Sequence, residues 1–136
     1  MIEIARLLVD FGLLILIWMV QLIVYPSFLY YTSIELLSWH EHYTKSLAYI
    51  VLPLMLAQLG ITIYQVIQTQ NMYTITSIVL VLFLWGITLL KFAPMHHQIS
   101  QGTTHQEFLS SLVKSNWIRT ICWTILFVMS LVVGVL

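Results

Sequence analysis

The fold turns on the stretch Leu7-Leu8-Val9-Asp10-Phe11-Gly12-Leu13-Leu14-Ile15-Leu16-Ile17-Trp18-Met19-Val20-Gln21-Leu22-Ile23-Val24-Tyr25-Pro26-Ser27-Phe28-Leu29-Tyr30. It holds a single formal charge, Asp10, and is long enough for a helix to cross a hydrocarbon core, which takes about 20 residues. Met1 to Arg6 and the apolar run after it imitate a secretion signal. The run continues to Phe28, however, and no small-residue cleavage site follows, so it reads as a retained span. Three further segments match it: Leu47 to Gln68, Thr74 to Phe92 and Trp117 to Leu136. In lipid every backbone polar group must be bonded within the protein, so the expected fold is all-α. It is one domain over 1–136, an integral membrane antiparallel four-helix bundle with spans at 7–30, 47–68, 74–92 and 117–136.

Composition agrees. Of 136 residues, 60% are hydrophobic and 7% charged, and mean hydropathy is +0.96. Soluble domains carry about 25% charged residues, so this surface cannot face water all round. The net charge of +0 argues against nucleic acid as a partner, because phosphate binding needs excess Lys and Arg. A lone cysteine, Cys122, rules out an internal disulfide.

The turn near Gln70 to Met72 is short enough to make the second and third helices antiparallel neighbours. Thr32 and Glu35 have the spacing of a capping box, as do Thr104 and Glu107. Short interfacial helical extensions are therefore expected before the second and fourth spans. Gly102 is placed to end the structure that follows Pro94. Pro53 is expected to kink the second helix, and Pro94 to end or kink the third.

Following the chain through the bilayer collects most of its chemistry on one side, face A. There lie Tyr25-Pro26-Ser27-Phe28, Trp39 to Lys45, Lys91 to His97, and Lys114 to Thr120, with all five histidines. Face B holds Glu3, Arg6, Asp10 and the tip Gln68 to Asn71. Polar loops and interfacial anchors account for part of this asymmetry. Lys91 and Arg119, however, fall inside the apolar frames of their helices, where charge is costly and usually faces a cavity or the protein interior.

Helical spacing limits which groups can meet. His40 and His42 lie about 200° apart on a helix. His40 shares its face with Tyr43, Thr44 and Leu47, and Glu41 forms a favourable i, i+4 pair with Lys45. On the fourth helix Asn116, Arg119, Thr120 and Trp123 form one polar stripe. Three chemistries remain open. A transition metal could take His40 with His96 or His97, helped by Glu35 or Glu41. A haem could take an axial histidine. An organic pocket could use His40 and His96 as acid or base, with Arg119 and Asn116 holding an oxyanion. In that third case Trp117, Tyr43, Lys91 and Trp123 are further candidates for substrate contact. Asp10 is either interfacial or paired with a neighbouring helix. Gln21 and Gln58 read as interhelical hydrogen-bond glue, and Trp18 and Trp85 as packing or lipid contact.

Taken in order, Trp18-Met19-Val20-Gln21 with Tyr25-Pro26-Ser27-Phe28, the His40 to Lys45 segment, Pro94-Met95-His96 and Leu112 to Thr120 resemble a group of small bacterial four-span membrane proteins. That group is distantly similar to the anthrone-oxygenase-like family. The resemblance runs from Trp18 to Trp123, and Asn-Trp-x-Arg-Thr and Pro-x-His are its most specific parts. It implies oxidation of polycyclic phenolic substrates without a well-defined cofactor, with function falling on His96, Asn116, Trp117 and Arg119, and on His40. His97 stands where such proteins carry Asn or Arg, and Tyr43 where they carry a second His.

The leading expectation is a protein of the bacterial inner membrane, among membrane lipids, that binds and oxidises a lipid-soluble aromatic or quinone-like molecule near face A. The alternatives are a non-catalytic membrane subunit or scaffold, and a haem- or metal-binding membrane protein. Association into a homo-oligomer is compatible with each of these. Lys45, Lys91, Lys114 and Arg119 at face A outnumber Arg6 at face B, so the positive-inside rule puts face A in the cytoplasm and both termini outside. Reporter fusions at either terminus should then be active only when the reporter works outside the cytoplasm, and the reverse result would invert the topology.

Overall fold

The computed structural model describes all 136 residues. Four helices, each long and apolar enough to cross a membrane, form the chain: α1 Ile2–Tyr30, α2 Ser33–Gln68, α3 Met72–Ser100 and α4 Gln106–Val135. The links between them are short, so neighbours run antiparallel. α1 packs most extensively against α4 and also against α2, and α2 packs against α3.

The helix ends follow local chemistry. Thr32 caps α2: its hydroxyl accepts from the Glu35 backbone N–H at 3.3 Å, and the Glu35 carboxylate accepts from the Thr32 N–H at 3.1 Å. Asn71 and Thr74 make the same reciprocal pair at the start of α3, one the sequence reading does not anticipate. Gly102, at φ +100°, closes α3, and its N–H donates to the Ile99 carbonyl at 2.9 Å. That left-handed backbone suits glycine because no Cβ meets the preceding carbonyl.

One expectation needs correction. Thr104 and Glu107 form no capping box. His105 stands at the helix start without a side-chain cap, and the Thr104 hydroxyl donates instead to Ser33 at 2.9 Å, tying the two face A loops together. α2 runs unbroken past Pro53 for 36 residues. Of the two outcomes expected at Pro94, an end or a kink, the third helix does not end there. A π-helical turn over Thr88–Phe92 precedes Pro94, and the helix continues to Ser100. The wider turn relieves the clash between the proline ring and the carbonyl one turn back. α1 does the same, with a π turn over Val20–Val24 before Pro26.

Of 31 buried residues, 13 are polar or charged, while large apolar side chains such as Leu8, Leu22, Ile63, Leu82 and Leu131 point outward. The interior is thus where this protein keeps its polarity, as lipid surroundings require. The apolar interior falls into two clusters. One, near face A, includes Tyr25, Phe28, Tyr43 and Phe92. The other, deeper, includes Leu13, Ile17, Met55 and Trp123.

Toward face B lies a network that the sequence reading undervalues. Arg6 and Asp10 are fully buried, and Arg6 Nε donates to Asp10 Oδ2 at 2.8 Å. Arg6 Nη1 donates to Gln65 at 3.0 Å, and Gln58 donates to Asp10 Oδ1 at 2.6 Å. Gln58 also accepts from the Trp123 indole N–H at 3.2 Å. Of the two readings left open for Asp10, the paired one is what the geometry realises. Each partner neutralises the other in place, and the two glutamines fix α2 against α1. Asp10→Leu alone strands Arg6 and should cost about 3–5 kcal/mol. Arg6→Met combined with Asp10→Leu should recover most of that loss. Denaturant titration in detergent micelles, followed by tryptophan fluorescence, checks both, and equal losses in the single and double variants would refute the pairing as a stability element.

Candidate functional site

The two π turns set the site. Each ends two residues before a proline, on helices that run in the same direction, and together they bring Tyr25 of α1 close to His96 of α3. Tyr25 Oη and His96 Nε2 are 2.8 Å apart. The other nitrogen of that ring, Nδ1, lies 2.8 Å from His40 Nε2, and the two imidazoles stack with centroids 5.0 Å apart. Tyr25, His96 and His40 thus form an unbroken hydrogen-bonded chain across three helices.

Arg119 joins from α4. Its Nε donates to Asn116 Oδ1 at 2.9 Å, with longer contacts of 3.4 Å from Nη1 to Thr88 Oγ1 and from Nη2 to Tyr25 Oη. The guanidinium carbon sits 4.0 Å from the Phe92 ring centroid and 5.7 Å from that of Trp123, so aromatic faces flank the charge. Asn116 is held in turn by donating to Gln21 Oε1 at 3.0 Å, an atom that also accepts from Thr120. Gln21 Nε2 donates to the Val113 carbonyl at 3.1 Å, so this amide does join helices as expected.

Beside these groups, where the two apolar clusters meet, is a cavity of about 250 Å³. Of its 18 lining residues 14 are hydrophobic, Tyr25 and Tyr43 among them, and Thr44, Thr88, His96 and Arg119 are the other four. Leu52 at its wall is exposed to the surroundings, so the cavity reaches the lipid-facing surface. The Tyr43 hydroxyl and His40 Nδ1 are buried and have no hydrogen-bond partner within the chain.

The candidate residues therefore separate. His40, His96, Arg119, Asn116, Tyr43 and Trp123 come together. His97 and Lys91, next to His96 and Phe92 in sequence, point outward because successive helical residues differ by about 100°. Trp117 is 40% exposed and packs edge-on against Trp18 outside the bundle, away from the cavity. Glu35 is engaged in its capping box and Glu41 with Lys45 at 2.9 Å, so neither carboxylate reaches Arg119 or the histidines. The expected metal set of His40 with His96 or His97 and a glutamate does not assemble: nowhere do three His, Cys, Asp or Glu side chains converge. Both nitrogens of His96 are already bonded, which leaves Nδ1 of His40 as the one free imidazole nitrogen of the pair. Tyr25 and Thr88 are the site residues not singled out by the sequence reading. The available signal was a tyrosine four residues after Gln21 and directly before a proline inside an apolar span.

The arrangement is suited to acid–base work. If Tyr25 donates to His96, His96 donates to His40 and the last proton sits on His40 Nδ1. If the chain is reversed, His40 Nδ1 is bare and the Tyr25 proton is free to point into the cavity. Switching between these two tautomeric senses carries a proton between the cavity wall and His40 without moving a heavy atom far. Tyr25→Phe should leave His96 Nε2 unpartnered and weaken the fold by about 1–3 kcal/mol. Nitrogen-15 NMR of the imidazoles should show the His40–His96 pair losing its fixed tautomer, and unchanged spectra would break the chain as drawn. Compared with protein-family models, curated proteins and solved structures, this chain finds no match.

Proposed function

We propose that this chain is an integral membrane protein that binds a lipid-soluble, ring-bearing small molecule with one polar end, of quinone or phenol type, in the cavity beside Tyr25, His96 and Arg119. The observation that carries this reading is the Tyr43 hydroxyl. It is buried, it borders an apolar cavity, and nothing in the chain bonds it. Buried polar groups are nearly always hydrogen-bonded, so an oxygen supplied by a ligand is the natural partner. The lining supports the same reading. Aromatic rings surround the polar end, and the aliphatic side chains Leu13, Leu16, Ile17 and Val51 suit an apolar body that enters from the lipid.

The Tyr25–His96–His40 chain then has a task, exchanging a proton with the bound ring system. Such an exchange is the step that prepares a phenolic compound for oxidation. The likeness of Asn116-Trp117-Ile118-Arg119-Thr120 and Pro94-Met95-His96 to the anthrone-oxygenase-like family fits an oxidoreductase of this kind in a bacterial inner membrane, with face A toward the cytoplasm.

Native mass spectrometry of protein extracted in mild detergent tests the reading, together with an absorption spectrum. The wild type should carry a small organic molecule. Ala48→Phe, which fills the cavity from a half-buried wall position, should lose that molecule while melting as the wild type does. Arg119→Lys should hold it about tenfold more weakly, because a point charge cannot replace the planar fork. Undiminished retention in Ala48→Phe would remove the cavity as the binding site.

A further inference from the structure

The protein buries two arginines and treats them differently. Arg6, fully buried, has its counter-ion in place at 2.8 Å in Asp10. Arg119, 8% exposed, has none. Its partners are an amide oxygen, a threonine hydroxyl and a tyrosine hydroxyl, all formally neutral, and two of the three contacts are 3.4 Å long. The only side-chain ion pairs in the chain are Arg6–Asp10 and the exposed Lys45–Glu41. Arginine does not shed its proton in proteins, so this charge cannot be relieved by neutralisation. Within the membrane frame a lone cation of this kind is expensive and is usually met by a partner.

Two more observations indicate where that partner belongs. Arg119 lines the cavity, and five N–H donors are available to it, of which three are engaged. The unpartnered Tyr43 hydroxyl borders the same cavity. A cation and a hydroxyl donor facing one apolar cavity are a recognition set for an oxyanion carried on an apolar body.

We infer that the ligand binds as an anion, and that its ionised oxygen is the counter-ion Arg119 lacks. The class is an amphiphilic weak acid: an apolar ring system bearing an ionisable hydroxyl or carboxyl group. This inference rests on the cavity being a ligand site, and it adds the charge state of the occupant. A neutral quinone or a neutral ether of the same shape should bind markedly less well.

The test uses two probes of nearly equal shape: 2-hydroxy-1,4-naphthoquinone, ionised at neutral pH, and its methyl ether, which cannot ionise. Binding of each to the full-length protein in nanodiscs is measured at pH 7.5 by calorimetry. The anion should bind about 10–100-fold more tightly, the range expected for charge-assisted hydrogen bonds in place of neutral ones. Asn116→Asp then supplies an internal carboxylate at the position that already accepts from Arg119 Nε. It should collapse the preference to within about threefold, by weakening the anion rather than strengthening the ether. Arg119→Gln should do the same, and where that variant fails to fold the Asn116→Asp result decides, with its melting temperature as the control for folding. Equal affinity for both probes in the wild type, or a preference that survives Asn116→Asp, would overturn the anionic ligand and leave an aromatic-binding cavity standing. Binding of neither probe, with 1-naphthoate also silent, would overturn both readings.

Discussion

Asn116 divides its amide between two tasks. Nδ2 donates to Gln21 across the α1–α4 interface, and Oδ1 accepts from Arg119 one turn further along its own helix. In water either bond would compete with solvent. In lipid there is no such competitor, and apolar contact alone does little to choose one helix neighbour over another, because lipid tails are as apolar as leucine. Helix order therefore depends on polar atoms finding one another, and a single side chain both joins two helices and aims the charge that dominates the site. Gln21 strengthens the junction by accepting from Thr120 with the same oxygen. The guanidinium cannot rotate away from the cavity without giving up the Asn116 bond.

Seen this way, the bundle has two polar storeys with apolar packing between them. The face B storey is charge-balanced: Arg6, Asp10, Gln58 and Gln65 bond chiefly to one another, and only Nη2 of Arg6 lacks a partner among them. The face A storey is open, with an unpaired charge, a free hydroxyl and a cavity. Trp123 touches both, donating to Gln58 on one side and flanking Arg119 on the other. A charge-balanced storey beside one with an unpaired charge is how a small bundle can keep its fold while leaving groups available for chemistry.

Much of this was legible in the sequence. Four spans, the helical extension before the second span, the Thr32–Glu35 cap, the opposite faces of His40 and His42, and the inward stripe from Asn116 to Trp123 all follow from composition and helical period. The face B network was less visible because Arg6 and Asp10 lie near the chain start, where charge usually means an interface. The signal was nevertheless present: Arg6 and Asp10 are spaced i, i+4, and Gln58, Thr62 and Gln65 share one face of α2, all three buried. The meeting of Tyr25 with His96 was not legible, because it depends on two π turns, and hydrophobic period does not register a single extra residue. Glu107 failed as a cap for a tertiary reason, since Thr104 found Ser33 first.

Those π turns have a consequence for how such a site can arise. Val20–Val24 and Thr88–Phe92 each accommodate one residue beyond what a regular helix of the same rise would hold. Deleting one residue from either would restore an even helix and rotate everything beyond it by about 100°, carrying Tyr25 or His96 off the cavity wall. Put the other way, a plain four-helix bundle is two single-codon insertions from this geometry. The scaffold and the site can therefore have separate histories, with the apolar bundle coming first and its chemistry arriving as a change of phase along two of its helices.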